Sequence, residues 1–285
     1  MQMKMFDDRY NQKYFNTEST FIPYMHYDNL MGKIKLNYKN IGKEINIFFN
    51  NIYMKYRKEL ESLDYASKDM EVFKIAANLI NQYLNEIDSF SLKYEILSQS
   101  KFRSSFLEEL NIYLFKDLIQ NSSFKIYNKN IYAGMTFDNE THIKLIFKDV
   151  DFCIGREVKI RIDNDKPISI IIPIICVEVK TYLDATMFGE VQYSNKQIKN
   201  ASCNVKTYVL MENNEVSEDK IAIAKYDNSL DEMFVLRNGF RKKKGKISYQ
   251  ALFEYYNEIS MVIEKNIYRK NINIQSNNNV GRLFN

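Results

Sequence analysis

The hydrophobic positions of this chain follow two periods, one after the other. Up to Ile119 they recur at helical spacing. From Ile34 to about Leu97, Ile45, Phe48, Phe49, Ile52 and Tyr56 fall at i, i+3, i+4, and so do Phe73, Ala76, Ala77, Ile80 and Leu84. Asp69 or Ser67 stands where the second of these helices needs an N-cap. Phe106, Leu107, Leu110, Tyr113, Leu114 and Leu118 form one apolar face and predict a helix over residues 104–119. Residues before about 30 are polar and aromatic without a clear period.

Beyond that helix the period drops to two, the spacing of a strand. The pattern predicts strands over 142–152, 157–162 and 168–180, with the Asp163-Asn164-Asp165-Lys166 cluster as a turn. A helix is expected from Asp184, its N-cap, to about Asn200, followed by a buried strand over 206–211 and a polar loop over 212–219. Residues 221–224 and 233–236 read as short strands, 241–246 as a basic loop, and 248–267 as a closing helix with Leu252, Tyr255, Tyr256, Ile259, Val262 and Ile263 on its apolar side. Helices first, then strands interleaved with helices, indicate an α/β (α+β) fold with a central mixed sheet flanked by helices. The expected organisation is a helical N-terminal region over 1–100, a core over 101–270 and a frayed tail over 271–285.

Composition narrows the function classes. A chain of 285 residues, 45% hydrophobic and 27% charged, has ample material for a buried core and is not a disordered chain. Eight glycines and three prolines are too few for a turn-dense β-sandwich. The net charge of +4 permits a nucleic-acid partner without demanding one, so any DNA surface must come from local clusters. Cys153, Cys176 and Cys203 form no CxxC spacing, which excludes a structural zinc site of that kind. Cys153 and Cys176 read as buried thiols of a reducing compartment. Neither a signal-peptide core nor a run approaching ~18 apolar residues occurs, so a cytoplasmic chain with no membrane partner is expected. GxGxxG, Walker A and nucleophile-elbow motifs are absent.

The chemistry concentrates in Ile175-Cys176-Val177-Glu178-Val179-Lys180. In a strand, Ile175, Val177 and Val179 face a core, while Cys176, Glu178 and Lys180 share the other side. A carboxylate and an amine at the end of a buried strand must pair, bind an ion or face a cleft. A tight hairpin turning between Asn164 and Asp165 would set Asp151 opposite Glu178, with Pro173 marking a bulge or an edge. Two carboxylates that close repel unless a cation lies between them, and oxygen ligands completed by water suit Mg²⁺. Asp163 and Asp165 are alternative acidic partners, though their turn context reads as solvated. His26 and His142 have no partner pattern and read as surface or packing residues.

The order of a helix, Asp151, then Glu178-Val179-Lys180 resembles the PD-(D/E)XK nuclease superfamily. More narrowly, Phe102-Arg103-Ser104-Ser105-Phe106-Leu107-Glu108-Glu109-Leu110, Val150-Asp151-Phe152-Cys153-Ile154-Gly155 and Cys176-Val177-Glu178-Val179-Lys180-Thr181-Tyr182-Leu183-Asp184 resemble a DdeI-like family of type II restriction endonucleases, whose members cut interrupted sites of the CTNAG type. The resemblance covers roughly residues 100 to 240, with Val150 standing where the superfamily often has Pro. It implies Mg²⁺-dependent cleavage of double-stranded DNA leaving 5′-phosphates, with Asp151 and Glu178 as metal ligands and Lys180 activating water. It also implies Glu109, which borders the apolar helix face, as an accessory carboxylate, whereas Glu108 points nearly opposite and is expected in solvent. Gln192, Asn195, Lys196 and Lys199, with Tyr193 and Gln197, are candidate DNA contacts. So are Arg241, Lys242, Lys243 and Lys244 of the basic loop. A two-fold site implies a homodimer, or else one subunit of a heterodimer. The competing expectations are a catalytically silent DNA-binding protein of the same fold and a repair or transposon-type nuclease.

Overall fold

The computed structural model describes residues 24–120, 122–137, 142–161, 167–202, 204–240 and 243–269. Asp163 and Asp165, Cys203, Arg241, Lys242 and the tail beyond residue 269 lie outside this range. The N-terminal layer begins with α1 (Met25–Lys35), in the stretch that has no visible period. No side chain of its own caps α1; Glu109, from a distant helix, supplies the acceptor instead. Helix α2 (Gly42–Phe48) runs through a single π turn (Phe49–Tyr53) into α3 (Met54–Glu61). Ile45, Phe48 and Phe49 are buried as their spacing predicts. The π turn then rotates the inward face by one position. Tyr53, Arg57 and Leu60 point to the core in place of Ile52 and Tyr56. Helix α4 (Met70–Lys93) is capped by Asp69, whose carboxylate accepts from the Glu71 N–H, and buries the expected Phe73, Ala76, Ala77, Ile80 and Leu84.

Helix α5 (Ser104–Ile119) departs from a one-faced amphipathic helix, because it is buried on all sides from Ser105 to Phe115. The N-terminal helices cover one side of it and the sheet the other. Its start is pinned by Arg103, which donates to Asp88 and, through both terminal nitrogens, to Glu212. Glu212 was expected in a polar loop; it is fully buried in a strand, shared between Arg103 and Arg237. Breaking one partner of such a buried pair costs roughly 3–5 kcal/mol, because the other charge stays in the interior.

The sheet comprises β1 (Lys125–Tyr127), β2 (Ile131–Phe137), β3 (Ile143–Lys148), β4 (Phe152–Ile160), β5 (Ile168–Leu183), β6 (Lys206–Asn214) and β7 (Glu232–Val235). The long β5 pairs antiparallel with β4 and parallel with β6, and touches β2 through one parallel bridge; β7 lies parallel outside β6. Helix α6 (Ala185–Ala201) follows β5, capped by Asp184 as expected. Residues 218–226 form α7 (Glu218–Tyr226), not the expected strand; a four-residue apolar run is too short to separate the two by period. Residues 243–246 of the basic segment lie in β9 (Lys243–Ile247), which pairs antiparallel with β8 (Arg237–Phe240), and α8 (Tyr249–Arg269) closes the chain's described part. Alternation along β5 sends Ile175, Val177 and Val179 into the large core with Phe115, Tyr255 and Tyr256, while Cys176 packs beside Cys153 and Ile198 on the face that α6 covers. That large core runs unbroken from Tyr24 to Ile263 and crosses residue 100 without a gap. Among the described residues no helix is long and apolar enough to cross a membrane.

Candidate active site

The β4–β5 pairing brings the carboxylates together. Phe152 faces Val177, Cys153 faces Cys176 and Ile154 faces Ile175, so the next step of the register sets Asp151 against Glu178. The register slips by one at Ile154/Gly155, opposite Pro173, whose missing N–H cannot continue the ladder. The bulge lies between the hairpin turn and the site, and its one-residue shift brings Asp151 opposite Glu178; the register next to the turn, carried on unbroken, would have set Asp151 opposite Val177. Gly155 is required there: a Cβ would come within 2.7 Å of the Ile172 carbonyl oxygen.

Asp151 sits just before β4, and its Oδ2 accepts from the Val179 N–H at 2.8 Å. This bond crosses the strands and fixes the carboxylate beside Glu178. The Lys180 ammonium is hydrogen-bonded to Glu178 Oε1 and lies 3.8 Å from Asp151 Oδ2. Burial raises the Glu178 carboxyl above its ordinary value; Asp151 adds to this and Lys180 opposes it. Burial works to lower Lys180, but Glu178 and Asp151 outweigh it and hold the ammonium above its ordinary value.

Two groups that the sequence pattern did not single out complete the cluster. Glu108 is buried, not solvated, and lies 3.5 Å from Lys101. Burial, then the nearby charge of Asp151, raises its carboxyl, while Lys101 and Lys180 pull it down. Lys148, at the end of β3, donates to Ser194 Oγ at 3.0 Å and lies 5.5 Å from the Tyr193 ring centroid. Burial lowers it, and Glu178 acts against that. Three acids and three lysines thus lie within electrostatic reach of one another around the start of β4 and the later part of β5.

Glu109 does not belong to this cluster. Successive residues on a helix diverge by about 100°, so a helix buried on both sides sends Glu108 and Glu109 to different layers. Glu109 is fully buried among the N-terminal helices. Its Oε2 accepts from the backbone N–H groups of His26 and Tyr27, and its Oε1 from the Tyr53 and Tyr113 hydroxyls. Burial pushes its carboxyl up to about 7, against Arg57 and these donors. His26 is a packing residue, its ring nitrogens bonded to Ser105 and Tyr83, and burial holds it neutral with a pKa of about 3.

The α6 candidates turn toward the loop after α7. Gln192 donates to Ser229, Lys196 pairs with Asp227 at 2.6 Å, and Lys199 pairs with Asp231 at 2.6 Å. Asn195 is buried. In this chain these residues hold a loop instead of offering a free row of donors; Lys196 alone keeps half its side chain exposed. Tyr193 is exposed and accepts from Gln197. Lys243 and Lys244 are placed by the β8–β9 pairing, opposite Phe240 and Gly239.

Among the described residues no group of three or more His, Cys, Asp or Glu side chains gathers as a metal cage. Asp151 and Glu178 provide two hard oxygen donors, each about a fifth exposed. That donor set fits Mg²⁺, which is held by one or two carboxylates and keeps water or phosphate in its other positions.

Comparison with known proteins places this geometry. A curated relative, AMP deaminase of Arabidopsis thaliana, is 29% identical over 105 residues, 37% of this chain; the stretch spans only 12% of the deaminase's length. The solved structure of the native BbvCI A2B2 tetramer matches the fold with a TM-score of 0.66, at 15% identity, over 86% of this chain and 98% of that one. The family model of the Bpu10I restriction endonuclease matches residues 99–276, more than half of the chain and the whole stretch that carries Glu108, Asp151, Glu178 and Lys180. The protein therefore belongs to the Bpu10I restriction endonuclease family.

Proposed function

We propose that the chain is a type II restriction endonuclease of the PD-(D/E)XK kind, which hydrolyses phosphodiester bonds of double-stranded DNA in the cytoplasm with Mg²⁺ as cofactor. The observation that carries this reading is the meeting of Asp151, Glu178 and Lys180 where β4 begins beside β5, with Lys148 and Lys101 in electrostatic reach of Glu178. Asp151 and Glu178 would hold the Mg²⁺, which supplies positive charge against the negative charge developing on the phosphate. Lys180, oriented by Glu178, holds the attacking water and stabilises the same developing charge. As the water oxygen bonds to phosphorus the P–O3′ bond breaks, which leaves a 5′-phosphate and a 3′-hydroxyl. Glu108, in Coulombic reach of Asp151 and Lys180, serves as the accessory carboxylate in place of Glu109.

One such cluster per chain cuts one strand, so cleavage of both strands requires two chains. A homodimer matches a symmetric interrupted site of the CTNAG type. The A2B2 assembly of the BbvCI relative favours the alternative, in which this chain pairs with a different subunit. Digestion of supercoiled plasmid by the purified chain with Mg²⁺ tests the reading. Discrete linear fragments support the homodimer, and site-specific nicks support one subunit of a heteromer. A smear indicates a nonspecific nuclease of the repair or transposon type. Intact plasmid, with or without added partner, indicates a silent DNA-binding protein and refutes the proposal.

A further inference from the structure

About five residues along β4 from Asp151, roughly 16 Å at strand rise, the Pro173 bulge opens a cavity of about 580 Å³. Its walls include Phe124, Arg156 and Pro173, the end of α6 at Ser202, Asn204 just beyond it, and Asn266 of α8. The Arg156 guanidinium stacks on the Phe124 ring, 4.1 Å from its centroid. Its Nε is buried and has no hydrogen-bond partner. Burial alone pulls this guanidinium below its ordinary value. Among the described residues, every other buried or half-buried arginine has an acid beside it: Arg57 has Glu61, and Arg103 and Arg237 share Glu212. Among the described residues, no Asp or Glu lines this cavity. Glu157, the next residue on the strand, is exposed on the opposite face. Residues 270–285, which follow α8, include no acid in their sequence.

A buried guanidinium donor without an acceptor is costly, and a planar Arg fork matches a phosphate or carboxylate in two parallel bonds. The neighbouring polar groups, a Ser hydroxyl and two Asn side chains, are neutral hydrogen-bonding groups compatible with an oxyanion. We propose that this cavity is a second anion site, separate from the cleavage centre, in which Arg156 takes a phosphate group, carried either by a free nucleotide or by the backbone of DNA flanking the cleaved sequence. The chemistry is the same for both sources. It does not depend on the chain being catalytically active.

Calorimetric titration of the full chain with inorganic phosphate, against chloride at equal ionic strength, tests the site. The expected result is binding that Arg156→Gln weakens by about tenfold or more, the loss of one charge-assisted contact. Asn204→Asp, at the exposed mouth, sets a repelling charge there without touching buried packing and should also weaken binding, which keeps the test open if Arg156→Gln misfolds. No phosphate binding, equal binding by the Arg156 and Asn204 variants and wild type, or loss in Lys180→Ala alone overturns the proposal. Two further arms separate the sources. Loss of deoxynucleoside monophosphate binding in Arg156→Gln assigns the site to a free nucleotide. Loss of duplex affinity with a salt slope smaller by about one assigns it to DNA backbone.

Discussion

Replacing Glu109 by Gln separates the two roles that adjacent acids on α5 could play. The Glu109 carboxyl is fully buried, and its pKa is pushed from 4.5 to about 7. A carboxyl with a raised pKa binds its proton more tightly in the folded state than in the unfolded chain. The stability it contributes is therefore present below 4.5 and is lost as pH rises through 7. Over that interval the loss is about 3 kcal/mol, at 1.36 kcal/mol per unit. Gln can meet the same partners without a charge. Its carbonyl accepts from the His26 and Tyr27 N–H groups, and its NH₂ donates to the Tyr53 and Tyr113 hydroxyls, which can turn to accept. Urea unfolding of wild type and Glu109→Gln across the range from about pH 4.5 to pH 8 should show wild type losing about 3 kcal/mol more than the variant. The variant should cut DNA at close to the wild-type rate. Parallel pH curves would refute the burial argument. Lost cleavage with unchanged stability would return Glu109 to the catalytic set.

Other substitutions test the same account. Glu108→Gln should lower cleavage by about ten- to a hundredfold, in the range of one positioned acid–base group, while leaving DNA affinity near wild type in a gel-shift assay. Lys180→Ala should abolish cleavage yet keep specific DNA binding, since binding rests on many contacts elsewhere; cleavage within about tenfold of wild type contradicts its role. Lys199→Met should lower thermal stability through the loss of its pair with the half-buried Asp231, with little change in DNA affinity; a large affinity loss at unchanged stability would make it a DNA contact.

The site was legible in the sequence where a short-range rule governs it. Alternation along β5 separates Val177 and Val179 from Glu178 and Lys180 because it depends only on nearby spacing, and hairpin register brings Asp151 to within one residue of Glu178. The one-residue slip at Pro173 lies between the turn and the site, so the final step of the alignment, from Val177 to Glu178, comes from the bulge and not from the turn. Glu108 and Glu109 were legible only as neighbours on a helix. Which one approaches Asp151 and Lys180 depends on what covers the second side of α5, and that is the N-terminal layer, whose first helix has no period and borrows its cap from Glu109. The lysines and amides of α6 carry the residue types of a DNA reader, but their partners, Asp227, Ser229 and Asp231, lie about 30 residues away across an αβ connection that local pattern does not encode. The same limit hid the π turn, where one added residue moves Tyr53 and Arg57 inward in place of Ile52 and Tyr56.

The central claim, that Asp151 and Glu178 together hold a divalent cation, is tested most directly by thermal unfolding of wild type and Asp151→Asn in EDTA and in ~10 mM Mg²⁺, a concentration chosen to exceed the weak affinity of a partly hydrated site. The Asn oxygen can still accept from the Val179 N–H, so the local bond survives the change. The substitution removes the charge that, after burial, raises the Glu178 carboxyl above its ordinary value. Mg²⁺ should raise the melting temperature of wild type by mass action and leave the variant unmoved, and in EDTA the variant should melt at or above wild type. A wild type that ignores Mg²⁺, with a variant that melts well below it in EDTA, would make Asp151 a structural residue and contradict the account.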